Sequence, residues 1–158
     1  MSKRLVLILL SLTLLSSCGF KLRGNFEMPA SMSQVVVDGG DRELVDQLKE
    51  LLVKSGSTVM DKGAEVATIN ITKSEFNREV LTTGSDGIAT SYNFRYLVDF
   101  NVTDADGTVL QEPVSLNQIR NLTYEAGNEL EVEEEESFLK EEMEKELSLQ
   151  IMRRLSRL

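Results

Sequence analysis

The sequence predicts an α+β fold, in which two helices pack on one face of a mostly antiparallel four-stranded sheet. Three patterns lead to this prediction. Apolar residues recur at helical spacing between residues 44 and 52, and again at every fourth position between residues 139 and 155. Between residues 92 and 102, aromatic and aliphatic residues occupy alternate positions. A sheet covered on one face by both helices would bury all three apolar surfaces in one core, so we expect a two-layer sandwich.

The chain begins with the layout of an export signal. Lys3 and Arg4 precede an apolar run over residues 5–15, which two serines and Cys18 close. The run is about half of the roughly 20 residues that a membrane-spanning helix needs. We therefore predict a signal peptide over residues 1–17.

The end of this signal, from Leu15 to Cys18, is similar to the lipobox of bacterial lipoproteins. In such proteins the cysteine becomes the new N-terminus and carries N-acyl and S-diacylglycerol lipid. Three acyl chains give a lasting anchor, whereas one holds only marginally. The motif predicts lipidation of Cys18, and Gly19 in place of a retaining aspartate implies an outer-membrane destination.

Composition argues against several classes of function. Once the signal is removed, 15 basic residues remain against 26 acidic ones, a formal charge of −11, so we expect no nucleic-acid partner. Cys18 is the only cysteine and histidine is absent. We therefore expect no disulfide framework, no thiol nucleophile, no imidazole catalysis and no cofactor apart from the lipid on Cys18.

The domain after the tether begins with a strand and a helix. The valines at 35–37 predict a short buried strand that ends in the turn Asp38-Gly39-Gly40. Asp41 stands at a helix N-cap position, and Ser55-Gly56 supplies a stop. We predict a helix over residues 42–55, with one buried apolar stripe made by Leu44, Val45, Leu48, Leu51 and Leu52.

The middle of the chain predicts a long hairpin and a further strand. Residues 57–60 are a short strand or the entry to a loop, and alternation from Ala67 predicts the first hairpin strand. Turn formers over residues 81–88 mark the tip. The row from Tyr92 to Val102 reads as the core face of the return strand in preference to a ligand-stacking surface. In the last strand Pro113 predicts a sheet edge or a bulge.

The C-terminal section predicts a second helix. An acidic cluster at Glu129, Glu131 and 133–136 comes first, and three arginines lie in the last turns, which is the charge order that a helix dipole favours. The cluster lacks the spaced Asp, Asn and Gly of a calcium loop, so we expect no metal. The buried stripe is made by Leu139, Met143, Leu147, Ile151 and Leu155.

The order of these features resembles a known family. The mature chain opens with Cys-Gly-Phe-Lys-Leu-Arg-Gly at residues 18–24, and the lipobox, this opening, the short strand and the amphipathic helix resemble the LptE family, also called rare lipoprotein B. Phe20, Leu22 and Arg23 match the family's opening. We assign residues 18–33 to a lipidated tether, which lies along a membrane or pairs as an edge strand, and residues 34–158 to one LptE-like domain.

The resemblance implies a non-catalytic outer-membrane lipoprotein. Members plug the lumen of the β-barrel LptD, help that barrel fold and contact lipopolysaccharide during its insertion into the outer leaflet. The family's lipid contact lies near the tip of the middle hairpin, where Arg78 and Lys73 are the basic candidates, and in the loop before the last helix. At that second place this chain has Glu129 and Glu131 where a lysine is expected.

An alternative function remains open at the level of sequence. An unrelated periplasm-facing lipoprotein that binds a ligand or acts on glycans would share the same signal. An acid and base drawn from carboxylates such as Asp99 or Asp104 would suit glycan cleavage, but no spacing singles out a pair.

Overall fold

A computed structural model of the chain describes residues 26–124 and 129–158, and of residues 129–131 it describes the backbone alone. The predicted signal peptide, Cys18 and the tether up to residue 25 lie outside the described residues. The regular elements are β1 (Gln34–Gly39), α1 (Arg42–Lys54), β2 (Thr58–Val59), β3 (Ala67–Thr83), β4 (Ala89–Thr103), β5 (Val109–Thr123) and α2 (Glu129–Leu155). A short 3-10 helix, Ala30–Met32, precedes β1.

The sheet has the strand order β2-β1-β3-β4-β5. β1 runs parallel to both β2 and β3, whereas β3, β4 and β5 form an antiparallel meander. The predicted two-layer α+β class is confirmed, although the sheet has five strands and not four. The additional strand is β2, whose two residues pair with the start of β1 after α1 has crossed over.

Both helices cover the same face of the sheet and enclose one core. The predicted stripe of α1 is buried at Leu44, Leu48 and Leu52, and that of α2 is buried from Met143 onward. In β4 the alternate residues from Phe94 to Val102 are buried, so the predicted core face is confirmed for them, whereas Tyr92 at the end of the row is half-buried. The fully buried side chains of largest volume include Tyr96, Phe94, Phe100, Met32, Leu44, Leu48, Leu52, Ile69, Met143 and Leu147.

A bulge at Thr72 changes which residues of β3 face the helices. Ile71 pairs with Phe100, but Lys73 pairs with Asp99, so one extra residue lies between them. Before the bulge the odd-numbered residues face the core, and after it the even-numbered residues do, because side chains alternate along a strand. Arg78 therefore lies on the helix-facing side, opposite Phe94.

The outer strand β5 has both features that Pro113 predicted. It is an edge strand of the sheet. Its pairing with β4 also shifts register between Phe100 and Val102, next to the proline, so an irregularity accommodates the missing N–H. None of the helices in the described part of the chain has the length and apolar character needed to cross a bilayer.

Candidate functional site

The predicted lipid contact Arg78 lies on β3, beyond the bulge, where the strand passes α2. Its Nη1 donates a hydrogen bond of 2.6 Å to Oε2 of Glu136 on α2. Its guanidinium carbon lies 4.9 Å from the centroid of the Tyr92 ring, within the range of a cation–π contact. Arg78 is thus held between a carboxylate and an aromatic face, with 44% of its side chain exposed.

Aromatic rings form the wall behind this arginine. Tyr92 stacks on Tyr124 with ring centroids 5.5 Å apart, and the Tyr124 hydroxyl donates to the Tyr92 hydroxyl at 3.2 Å. Tyr92 also contacts Phe94 at 6.1 Å, and Phe76 stacks on Phe94 at 5.8 Å. The aromatic row of β4 therefore begins in the core and ends at the surface beside Arg78.

Two clefts meet at Arg78. The larger, of about 620 Å³, lies towards α1 and is lined by Asp41, Phe76, Arg78, Glu133, Glu136, Ser137 and Lys140. The smaller, of about 290 Å³, lies towards the hairpin tip and is lined by Arg78, Ile88, Ala89, Tyr92, Tyr124, Val132 and Glu133. Because Arg78 and Glu133 line both clefts, a ligand in either one meets the guanidinium group.

The second predicted basic residue, Lys73, lies on the other face of the sheet. It pairs across the ladder with Asp99, whereas Arg78 pairs with Phe94 on the helix-covered face. Its ammonium group is 3.3 Å from a carboxylate oxygen of Glu75. The structure does not bring Lys73 and Arg78 together, so only Arg78 belongs to the clefts.

A network of charged and polar side chains lies at the far end of the larger cleft. The Lys140 ammonium group is 3.2 Å from Asp41 Oδ2 and 3.4 Å from Glu144 Oε1. The buried Tyr96 hydroxyl lies 3.3 Å from Asp41 Oδ2 and 3.4 Å from Glu144 Oε1, which share its single proton as acceptors, and 3.2 Å from Ser74 Oγ. Asp41 is the N-cap residue of α1, as predicted, but its side chain makes no capping bond and joins this network instead.

Burial and neighbouring charges shift the pKa values in the network. Glu144 is 2% exposed, and burial raises the pKa of its carboxyl although Lys140 opposes this. A hydrogen bond with Glu43, supported by Lys140, lowers the pKa of Asp41. Burial also raises the pKa of the Tyr96 hydroxyl. For Lys140, burial acts to lower the pKa, but bonds to Asp41 and Glu144 outweigh it and the pKa is raised.

The geometry of this network favours an ion-pair network that links secondary-structure elements over a metal site. Carboxylate oxygens of Asp41, Glu43 and Glu144 lie within 4.8 Å of one another, which is close enough to share a cation. Lys140 contacts all three, with its ammonium group 3.8 Å from Glu43, and so supplies the positive charge itself. The network therefore ties α1, α2 and β4 together.

The two aspartates considered for glycan cleavage are far apart. Asp99 lies within β4, and Asp104 follows the end of that strand in a turn. Five residues of extended strand separate them, roughly 16 Å at about 3.3 Å per residue. Paired carboxylates of glycoside hydrolases are roughly 5 to 10 Å apart, so these two do not form such a pair.

Apolar side chains are exposed at the hairpin tip. Val80, Leu81 and Ile88 are between 44% and 54% exposed, around the turn from Gly84 to Gly87. The tip falls where turn formers predicted it. The loop before α2, residues 125–128, and the side chains of Glu129 and Glu131 lie outside the described residues.

Sequence reasoning did not identify Glu136, Tyr124 or Lys140 as site residues. Glu136 was one of several glutamates in the acidic cluster, and its partner Arg78 is 58 positions away in the chain. Lys140 and Glu144 do carry a usable signal, since they stand four residues apart directly beside the apolar stripe of α2.

Comparison with protein families gives a match over most of the chain. The model of the family described as LptE, lipopolysaccharide-assembly, matches residues 28–155. An LPS-assembly lipoprotein LptE of Photorhabdus laumondii is 24% identical, over 98% of this chain and 87% of its own. One of Yersinia enterocolitica is also 24% identical, over 98% of this chain and 77% of its own.

Solved structures share the fold. A minor lipoprotein from Acinetobacter baumannii superposes with a TM-score of 0.67 at 22% identity, covering 82% of this chain and 94% of that one. The rare lipoprotein B from Shewanella oneidensis superposes with a TM-score of 0.66 at 18% identity, covering 78% and 94%. The arrangement of two helices on one sheet face is therefore common to these lipoproteins.

Proposed function

This chain belongs to the LptE lipopolysaccharide-assembly family, and from that premise we propose that it is a non-catalytic outer-membrane lipoprotein that plugs the LptD barrel, helps it fold and contacts lipopolysaccharide. The family match over residues 28–155 carries this proposal. The described carboxylates considered for catalysis are far apart, which is in keeping with a binding role. The sequence motif at Cys18 supplies the lipid anchor.

The shape of the hairpin supports a role inside a barrel. The chain enters the sheet at β1, where Val35 pairs with Ala67 at the start of β3, and the hairpin turn lies at the opposite end. The 17 residues of β3 extend over roughly 50 Å. A bilayer's hydrocarbon core is roughly 30 Å thick. A protein whose lipid anchor precedes β1 in the chain therefore has a hairpin long enough to extend through a barrel lumen.

The cleft around Arg78 supports a contact with an anionic lipid. A guanidinium group binds phosphate through parallel N–H bonds, and this one stays partly exposed between two clefts. The exposed apolar side chains of the tip lie beyond the smaller cleft and offer a surface for acyl chains. The acidic cluster on α2 makes the surroundings negative, so the contact depends on Arg78 itself.

Affinity isolation through a tag after Leu158 tests the partner. We expect a large β-barrel to co-purify in detergent, and a monomer that turns over cell-wall glycan would contradict the proposal. Mass spectrometry of the mature N-terminal peptide tests the anchor. We expect acylated Cys18, and no acyl mass after Cys18→Ala; an unacylated native N-terminus would contradict the lipidation.

The lipid contact is tested by two substitutions on one strand. Arg78→Gln removes the cleft cation, and Lys73→Gln removes an equal charge on the opposite face. Because a charge-assisted hydrogen bond contributes about 1.5–3 kcal/mol, we expect Arg78→Gln to weaken binding of lipopolysaccharide by roughly tenfold or more. Lys73→Gln should leave it near the native value. Equal losses in both variants would show only an effect of net charge.

A further inference from the structure

We propose that Glu136 sets the affinity of Arg78 for anionic ligands by acting as an internal competitor that a phosphate group must displace. This inference rests on the proposed contact between Arg78 and lipopolysaccharide. Glu136 Oε2 takes the hydrogen bond from Arg78 Nη1 at 2.6 Å. A phosphate oxygen would take the same bond, because both are anionic acceptors for a guanidinium N–H.

The pair is placed so that exchange is possible. Arg78 is 44% exposed and Glu136 is 25% exposed, and both line the cleft of about 620 Å³. Ion pairs that remain in contact with water are weak. A phosphate group carries more charge than a carboxylate and can bind a guanidinium group bidentately. A bound phosphate would therefore replace Glu136 as the partner of Arg78.

The Tyr92 ring keeps Arg78 in place during such an exchange. The guanidinium carbon lies 4.9 Å from the ring centroid, and the ring is itself stacked on Tyr124. Loss of the Glu136 bond therefore leaves the cation on an aromatic face at the junction of the two clefts. Glu136 therefore determines how readily Arg78 accepts a phosphate partner, and the stacked Tyr92–Tyr124 pair determines the position of its guanidinium group.

Glu136 can be separated from the other acidic residues of α2 by a matched control. Glu135 is its neighbour on the helix and is exposed, and no ion pair or hydrogen bond in the described residues involves its side chain. Glu136→Gln and Glu135→Gln remove the same charge from adjacent positions. A general effect of negative potential appears in both variants, whereas direct competition appears only in Glu136→Gln.

The test measures binding of rough-type lipopolysaccharide to the full-length lipidated protein in detergent. We expect Glu136→Gln to bind about two- to fivefold more tightly than the native protein, the range of a weak ion pair. Glu135→Gln should bind nearly as the native protein does. In an Arg78→Gln background, Glu136→Gln should no longer improve binding, because the competition requires the arginine.

Four outcomes would overturn the inference. If Glu135→Gln tightens binding as much as Glu136→Gln, net charge and not competition is responsible. If Glu136→Gln tightens binding equally with and without Arg78, or leaves the native affinity unchanged, Glu136 does not compete at Arg78. If the native protein does not bind lipopolysaccharide at all, the proposed lipid contact fails and the inference fails with it, a result that differs from the other three.

Discussion

The two ends of the β3–β4 hairpin differ in what covers them, although one continuous ladder joins both. At the end near β1, Ile69, Ile71, Phe100 and Val102 are at most 5% exposed beneath the helices. At the tip, Val80, Leu81 and Ile88 are at least 44% exposed. Strand pairing therefore extends the hairpin, but helix packing decides which apolar side chains stabilise the fold and which are left for contacts.

The boundary between the two ends is built from polar and aromatic contacts. The Lys140 network lies on the side of the core, and the Arg78 clefts lie on the side of the tip. Phe76 lies between them, in contact with Phe94 and with Tyr96 at 5.8 Å each. Substitutions should therefore have a stability cost that falls from the β1 end to the tip.

Truncation of one apolar residue at each end tests this gradient most strongly. Phe100→Ala leaves a cavity beneath the helices, and we expect it to lower the free energy of unfolding by about 3–5 kcal/mol. Leu81→Ala at the exposed tip should change it by less than about 0.5 kcal/mol. Urea unfolding followed by circular dichroism measures both. A comparable loss at Leu81 would mean that the tip is part of the folding core.

The next largest effect on stability is expected where a glycine leaves no room for a Cβ atom. Gly39 has φ +76°, and a Cβ there would lie 2.2 Å from the carbonyl oxygen of Ile71 in β3. Gly63 has φ +94° but no atom within 4 Å of a Cβ. We expect Gly39→Ala to cost about 2–4 kcal/mol and Gly63→Ala about 1 kcal/mol. Equal melting temperatures for the two variants would show that the backbone between β1 and β3 shifts to admit the methyl group with no additional loss of stability.

A smaller effect than that of Gly39→Ala is expected at the boundary. Tyr96→Phe removes the hydroxyl that contacts Asp41, Glu144 and Ser74, and should cost about 1 kcal/mol at pH 7. Burial raises the pKa of Tyr96 above its ordinary value of 10.0, so the folded state favours the neutral form. The stability that this provides is present below pH 10 and is lost as the pH rises beyond it, because the unfolded chain then ionises first.

The variant should therefore lose less stability than the native protein in alkaline solution. Urea midpoints of both proteins between pH 8 and pH 11 measure the difference. Lys140, whose pKa is also raised, weakens both proteins as the pH rises and so provides a shared background. Parallel curves for the two proteins would mean that ionisation of Tyr96 does not contribute.

The elements with strong local patterns were predictable from the sequence. The stripe of α1 repeats at helical spacing, and the helix observed over Arg42–Lys54 ends one residue before the prediction. The alternation in β4 identified its buried face, and Pro113 indicated the irregular edge strand. The fifth strand, β2, has only two residues. The sequence left it undecided because two residues are too few to show an alternating pattern.

The site was less accessible to sequence reasoning. Arg78 was identified by resemblance to a family, but its partner Glu136 lies 58 residues away on another element. Lys73 is five residues from Arg78 on an uninterrupted stretch of strand, so the two lie on opposite faces, and the bulge at Thr72 decides that Arg78 is the one on the helix-covered face. No composition or spacing rule predicts such a bulge, because one extra residue only weakens the alternation of apolar and polar residues along the strand.

The sequence by itself determined the lipobox at Cys18, the two helices, the long hairpin and the acidic balance, since each follows from local composition or from a repeat along the chain. Only the tertiary structure decided that Arg78 contacts Glu136 and Tyr92, that Lys140 joins three carboxylates, and that the hairpin tip lies uncovered. These contacts join residues far apart in the chain, and they depend on strand register and helix placement, which side-chain packing in the common core establishes.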